Sequence, residues 1–302
     1  MKKMTLLKLA KIYFFLFTFL LTSLSFSQDK TIDYYNSSTS TSNENADWMK
    51  SLSNSKTVTT LSIPGTHDSG ALYGGDLAIC QTLSVLEQLK AGIRYFDIRL
   101  SYYPNEKKFY VYHGITYQHL TLKDVLDNIK SFLDDHPSEA VFVRIKRESD
   151  SNTDDVFVTG FKEVMNSYGI NYFYTKSSVP IKLGDIRKKI VIIENVSGLP
   201  GIKWGAIPKQ DEYYVSAIWN RWWKFEQVRN FIDKYKTDTS KLVLNHSSGS
   251  SSGCYPYTTA KYVNYYVLRY IQDNTDIKKT GIIAMDFPGD KLINEIINVN
   301  KR

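Results

Sequence analysis

Short apolar runs alternate with longer amphipathic segments along most of this chain, and that alternation restricts the fold more than any other feature. Val141-Phe142-Val143-Arg144-Ile145-Lys146, Ile190 to Ile193 and Gly281 to Met285 are short and nearly continuous in apolar residues. Runs of this kind are strands buried on both faces, as in a parallel sheet. The pattern predicts strands over 57–63, 93–99, 108–112, 139–146, 189–194, 213–218, 241–245 and 281–286. It predicts helices over 82–91, 121–135, 154–168, 224–236, 258–274 and 290–299. Strand–helix alternation favours a parallel sheet or barrel over a sandwich. The Ser/Gly run from Ser247 to Gly253 is short and lies between periodic segments, so it is read as a loop and not as a domain boundary.

The first residues have another purpose. Lys2, Lys3, Lys8 and Lys11 precede an almost wholly apolar stretch, Ile12 to Leu24. Ser25 and Ser27 occupy the small-residue positions before a cut ahead of Gln28. This is the pattern of a signal peptide over 1–27 and predicts export, to a periplasm or out of the cell. Removing four lysines and no acids takes the net charge from +7 to +3. The basic character therefore calls for no nucleic-acid partner. Residues 28–45 are rich in Ser, Thr, Asn and Asp and read as a flexible leader. Residues 46–302 remain as one unit, the usual length of an α/β barrel.

Chemistry-bearing residues gather where predicted strands end. Leu61-Ser62-Ile63 stops at Pro64-Gly65 and delivers His67 and Asp68 to a loop. Asp97 and Arg99 lie two apart, on one face of the next strand. His113 ends the segment Phe109 to Gly114. Barrels of parallel strands place their active sites at the strands' C-terminal ends. Two histidines, an arginine and several carboxylates there suit acid–base chemistry on a phosphate ester. An exported chain permits a disulfide. Cys80 and Cys254 both follow predicted strands, so a bridge and two free thiols both stay open.

Four motifs in order, SIPGTHDSG at 62–70, FDIRL at 96–100, VYHG at 111–114 and VRIKRE at 143–148, resemble the bacterial phosphatidylinositol-specific phospholipase C family. The resemblance runs from about residue 45 to the C-terminus. It implies a single-domain α/β fold, a distorted and incompletely closed TIM-type (β/α)8 barrel. It implies cleavage of phosphatidylinositol to diacylglycerol and a 1,2-cyclic inositol phosphate, with glycosyl-phosphatidylinositol anchors as further substrates and a monomeric enzyme. His67 matches the general base, and Asp286, in Ala284-Met285-Asp286-Phe287, matches its partner. His113 matches the general acid, and Asp68 the residue that keeps it charged. Arg99 matches the phosphate-binding arginine, with Asp97 beside it. Related eukaryotic enzymes use calcium where this subgroup has an arginine, so the resemblance implies no metal and no cofactor.

Recognition of the head group departs from the family pattern. Lys146 matches an inositol-contacting lysine, and Glu148 is placed to hold it. Bacterial members carry an arginine in the segment that here reads Ile193-Glu194-Asn195-Val196-Ser197-Gly198, which puts Asn195 in its place. They also carry an aspartate followed two residues later by a tyrosine that stacks on the inositol ring. In Trp219-Asn220-Arg221-Trp222-Trp223 these become Asn220 and Trp222. His246 ends a predicted strand near the mouth. Ala71-Leu72-Tyr73 and Cys254-Tyr255-Pro256-Tyr257 are read as the rim that meets the membrane. Two other readings stay open. One is a barrel phosphodiesterase acting on another phospholipid or a glycerophosphodiester, which would need a carboxylate-held metal. The other is a non-catalytic lipid-binding member.

Overall fold

The computed structural model describes residues 33–302. Residues 1–27, expected to be a signal peptide, and residues 28–32 lie outside that range. Eight strands follow one another across a curled sheet whose neighbouring pairs are parallel. They are β1 (Ser62–Thr66), β2 (Tyr95–Tyr103), β5 (Ala140–Arg147), β6 (Phe173–Tyr174), β7 (Lys189–Glu194), β9 (Lys209–Gln210), β10 (Leu244–His246) and β11 (Gly281–Met285). The order is β6-β7-β5-β2-β1-β11-β10-β9. A short β8 (Ile202–Lys203) adds to β7. Among the described residues no ladder joins β8 to β9, so the barrel stays open there, as the resemblance implied. The long end of β2 leaves the barrel and pairs with an antiparallel hairpin, β3 (Lys108–His113) and β4 (Thr116–Thr121).

Burial explains the strands. Every residue from Ala140 to Ile145, Ile190 to Glu194 and Gly281 to Met285 is buried. Each Val, Ile or Phe covered in this way contributes roughly 1.5–3 kcal/mol over its exposed state. Helices α1 (Val85–Ala91), α2 (Leu122–Asp135), α3 (Asp154–Tyr168), α4 (Leu183–Ile186), α5 (Arg221–Tyr235), α6 (Pro256–Asp273) and α7 (Asp290–Val299) complete the described elements with several 3-10 turns. In α2 a capping box between Thr121 and Asp124 starts the helix, and Leu122, Val125, Leu126, Ile129 and Leu133 form its buried stripe. No helix among the described residues is long and apolar enough to cross a membrane.

Three sequence expectations need correction. The first strand starts at Ser62, because Val58–Thr60 forms a 3-10 turn whose Val58 N–H bonds to Ile181 O at 2.9 Å. Residues 213–218 do not form a strand: Tyr214 makes only an isolated bridge to Ser250. The described part of the leader is not free. Asn36 N–H bonds to Phe287 O, and Thr41 and Ser42 hydroxyls bond to the Asp290 carboxylate. Short polar side chains that look solvating in a composition count serve here as donors to the start of α7.

Candidate active site

The barrel's register assembles the site. His67 follows β1 directly, and its N–H continues the ladder to Met285 O at 2.9 Å. That places His67 beside Asp286, the first residue after β11. Gly65 is needed just before it, because a Cβ there would lie 2.7–2.8 Å from the Tyr95 side chain. Asp68 takes a left-handed backbone, φ 45°, which turns the loop back over β2. The turn is pinned: Asp68 N–H donates to Asp97 Oδ2 and Ser69 Oγ accepts from Asp97 N–H. Asp97 and Arg99 pair across the sheet with Arg144 and Lys146 of β5. Even spacing on paired parallel strands puts all four side chains on one face.

The catalytic candidates interlock. His67 Nδ1 lies 2.9 Å from Asp286 Oδ1, and His67 Nε2 lies 2.7 Å from Arg99 NH2. A guanidinium only donates, so Nε2 accepts and the proton sits on Nδ1, donated to Asp286. This is a neutral imidazole whose Nε2 lone pair is engaged by Arg99. Burial disfavours a charge on His67, but the charge and hydrogen bond of Asp286 outweigh it and raise its pKa despite Arg99. Arg99 NH1 sits 3.0 Å from Asp68 Oδ2, and NH2 sits 3.3 Å from Asp97 Oδ2. The same Asp68 oxygen is 3.4 Å from His113 Nε2, whose ring is oriented by Nδ1 donating to Ala78 O at 2.7 Å.

The two buried carboxylates differ. Asp97 is held far below the usual carboxylate range: burial opposes ionisation, but Arg144 and Arg99 overcome it. Asp68 is pushed up, because burial there outweighs Arg99 and both histidines. Asp97 therefore stays an anion while Asp68 is more easily protonated. Lys146 meets Glu148 at 2.7 Å, and Glu148 also accepts from Gly114 N–H, tying β5 to the hairpin loop beside His113.

These groups open into a cavity of about 480 Å³ lined by His67, Cys80, Arg99, His113, Lys146 and Asp286, together with Arg144, Asp211, Tyr213 and the 248–250 loop. Several expectations fail here. Asn220 and Trp222 do not line the cavity. Asn220 donates to Ser216 Oγ, and Trp222 packs on Phe225 and Tyr266 of the helical layer. The aspartate with a tyrosine two residues on is present instead as Asp211-Glu212-Tyr213, a pattern plainly readable in the chain. Asn195 reaches the site indirectly: its Oδ1 accepts from Arg144 Nε and NH2 at 2.9 and 2.7 Å. Arg144 also lies over the Trp204 ring at 3.9 Å and 3.2 Å from Asp97. A guanidinium absent at 195 is thus present on the wall at 144. His246 lies buried behind His67, its ring 5.8 Å away, with both nitrogens unbonded. Burial first, then His67 and Arg144, push its pKa well below normal, so it is neutral.

Cys80 and Cys254 are separate, buried thiols and form no bridge. Cys254 Sγ rests 3.2 Å from Thr259 Oγ1, whereas Cys80 faces the cavity. The rim also moves. Exposed apolar side chains include Leu77, Ile115 and a run at Tyr213, Tyr214, Ile218, Trp219, Trp222 and Trp223, with Ile115 92% and Trp219 78% exposed. Tyr255 and Tyr257 are only partly exposed and pack on each other.

Residues 62–195 match the family model described as phosphatidylinositol-specific phospholipase C, X domain. A 1-phosphatidylinositol phosphodiesterase of Listeria monocytogenes is 33% identical over 84% of this chain and 84% of its own length. A protein of the same name from Staphylococcus aureus strain Newman is 29% identical over 84% of this chain and 94% of its own. The solved phosphatidylinositol-specific phospholipase C of Listeria monocytogenes superposes with a TM-score of 0.75 at 30% identity, covering 86% of this chain and all of that one.

Proposed function

The chain belongs to the phosphatidylinositol-specific phospholipase C family, and we propose that it is an exported enzyme that cleaves phosphatidylinositol at a membrane surface without a metal. The observation that carries this reading is the continuous chain Asp286–His67–Arg99–Asp68–His113 in one cavity. His67 takes the proton of the inositol 2-hydroxyl, and the resulting oxygen attacks phosphorus. Asp286 supports the imidazolium that forms. Arg99 presents its fork to the phosphoryl oxygens as their charge grows. To do so it leaves Nε2 of His67, which frees that lone pair for the hydroxyl proton. His113, paired with Asp68, gives a proton to the departing diacylglycerol oxygen. The P–O bond to glycerol breaks as the bond to the 2-oxygen forms, leaving the 1,2-cyclic phosphate.

Arg144, Lys146, Asp211 and Tyr213 form the wall against the inositol hydroxyls. Tyr213 supplies the aromatic face, being 64% exposed at the mouth. The exposed tryptophans from 219 to 223 continue from that lip and suit the head-group layer of a bilayer. Arg99, ion-paired to Asp68 and Asp97, occupies the place a catalytic cation would need, which supports metal independence. The test is phosphorus NMR of phosphatidylinositol vesicles with protein starting at Gln28, in excess EDTA. A cyclic inositol phosphate is expected. Turnover only with added calcium would overturn the metal-free mechanism, and no turnover with either would overturn the substrate.

A further inference from the structure

We propose that Cys80, Asp68 and His113 form a binding site for a thiophilic divalent cation, Zn²⁺ above all, and that filling it switches the enzyme off. The binding half stands on the cluster alone, while the inhibition half rests on the function proposed above.

Cys80 Sγ, an Asp68 oxygen and a His113 ring nitrogen all lie within 4.8 Å of one another. A zinc ion with ligands at about 2.0–2.3 Å holds them some 3.3–3.8 Å apart, so closure needs shifts of about an ångström. Mixed sulfur, nitrogen and carboxylate donors are the set zinc takes, and the cavity side leaves a fourth position for water or phosphate.

Two further features fit a cation. His113 Nδ1 is engaged by the Ala78 carbonyl, which aims Nε2 at Asp68. Metal-bound histidines are oriented by this kind of second hydrogen bond. Asp68 is fully buried; its Oδ2 is ion-paired to Arg99 and His113, and neither of its oxygens has a hydrogen bond of good geometry. The thiol is also held in place. Cys80 N–H bonds to Ala71 O, Cys80 O accepts from Phe287 N–H, and the next side chain, Gln81, donates to His67 O and Met285 O.

A second trio, His67, Cys80 and Asp286, shares the thiol. It is the poorer site, because both His67 nitrogens already have partners at 2.7 and 2.9 Å. Burial first, then Asp286 and Asp68, keep Cys80 a neutral thiol in the absence of metal. The thiol is therefore a poor nucleophile on its own. Zinc displaces the thiol proton of Cys80, so binding tightens as pH rises. Arg99 is the resident cation on Asp68 and must give way. With Nε2 on zinc, His113 has no proton for the leaving group.

The test uses Co²⁺ as the spectroscopic stand-in and Zn²⁺ as the inhibitor, on the mature full-length chain. Cobalt is expected to produce a thiolate-to-metal charge-transfer band that Cys80→Ser abolishes and Cys254→Ser keeps. Zinc is expected to inhibit vesicle cleavage, and Cys80→Ser to raise the half-inhibiting concentration at least tenfold. Cys80→Ala repeats both comparisons should the serine variant fold poorly. No charge-transfer band, or equal zinc inhibition in wild type and Cys80→Ser, overturns the site. A chain inactive on phosphatidylinositol sinks the function proposed above, and the cobalt band then decides the metal site by itself.

Discussion

Two buried charge clusters sit at opposite ends of the same strands, and they are finished differently. At the N-terminal end, Arg94 and Glu139 precede β2 and β5 and are both fully buried. Arg94 donates to Glu139 and to the carbonyls of Leu89, Ile93, Asn45 and Ala46, while Glu139 also accepts from Met49 N–H. Every donor of the guanidinium has a partner. At the C-terminal end, five residues along the chain, Arg99 meets Asp68, Asp97 and His67, but its Nε is unbonded. Both Asp68 oxygens and one Asp97 oxygen also lack hydrogen bonds. Buried charge left with spare bonding capacity is costly, and it persists where a ligand uses it. The first cluster braces the barrel floor; the second is the site. This agrees with the general division of barrels into a stabilising bottom and a catalytic top.

The largest test of that contrast swaps readouts between the ends. His67→Ala or His113→Ala should lower turnover on phosphatidylinositol by about 10³-fold or more while leaving the melting temperature almost unchanged. Arg94→Ala should do the reverse. It strands Glu139 and should cost about 3–5 kcal/mol in urea unfolding, with normal turnover per folded molecule. An Arg94 variant of wild-type stability would erase the distinction between the ends. Next in size, Arg99→Lys keeps the charge but loses the fork, and kcat should fall about 10²-fold.

Smaller effects sharpen the boundary of the site. Tyr213→Ala should raise KM for soluble inositol substrates by about tenfold, the scale of one aromatic contact, with Trp222→Ala close to wild type. The opposite ranking would restore Trp222 to the inositol wall. The pH profile gives the finest comparison. His67 must be neutral to act, so rate rises as pH passes its pKa. Asp286 is what lifts that pKa against burial and Arg99. Asp286→Asn should therefore move the acid limb to lower pH, alongside a loss of rate from the misoriented ring. An unmoved limb would mean that another group titrates there.

The deep half of the site was legible because its residues sit at strand ends in fixed local motifs. His67–Asp68, Asp97–Arg99 and His113 need only strand parity and order to come together. The outer wall was not. Residues 213–218 are rich in β-prone side chains and read as a strand, yet Tyr213, Tyr214 and Ile218 are exposed and the segment makes a single isolated bridge. The acidic–aromatic pair expected at Asn220 and Trp222 lies nine residues earlier, at Asp211 and Tyr213, which line the cavity. Hairpin strand β4, Thr116-Tyr117-Gln118-His119-Leu120-Thr121, carries no clear alternation, and only its register with β3 makes it a strand.

Sequence alone determined the class of fold and which histidines, carboxylates and arginine gather at one end of it. Those follow from short-range rules: strand period, turn chemistry and the charge of each side chain. Tertiary structure decided which loop lines the outer cavity, that Arg144 provides a guanidinium there while Asn195 holds it, and that Cys80 faces the two histidines without pairing with Cys254. Each of these depends on how far apart two loops lie after the barrel curls, and that distance is set by packing between residues remote in the chain.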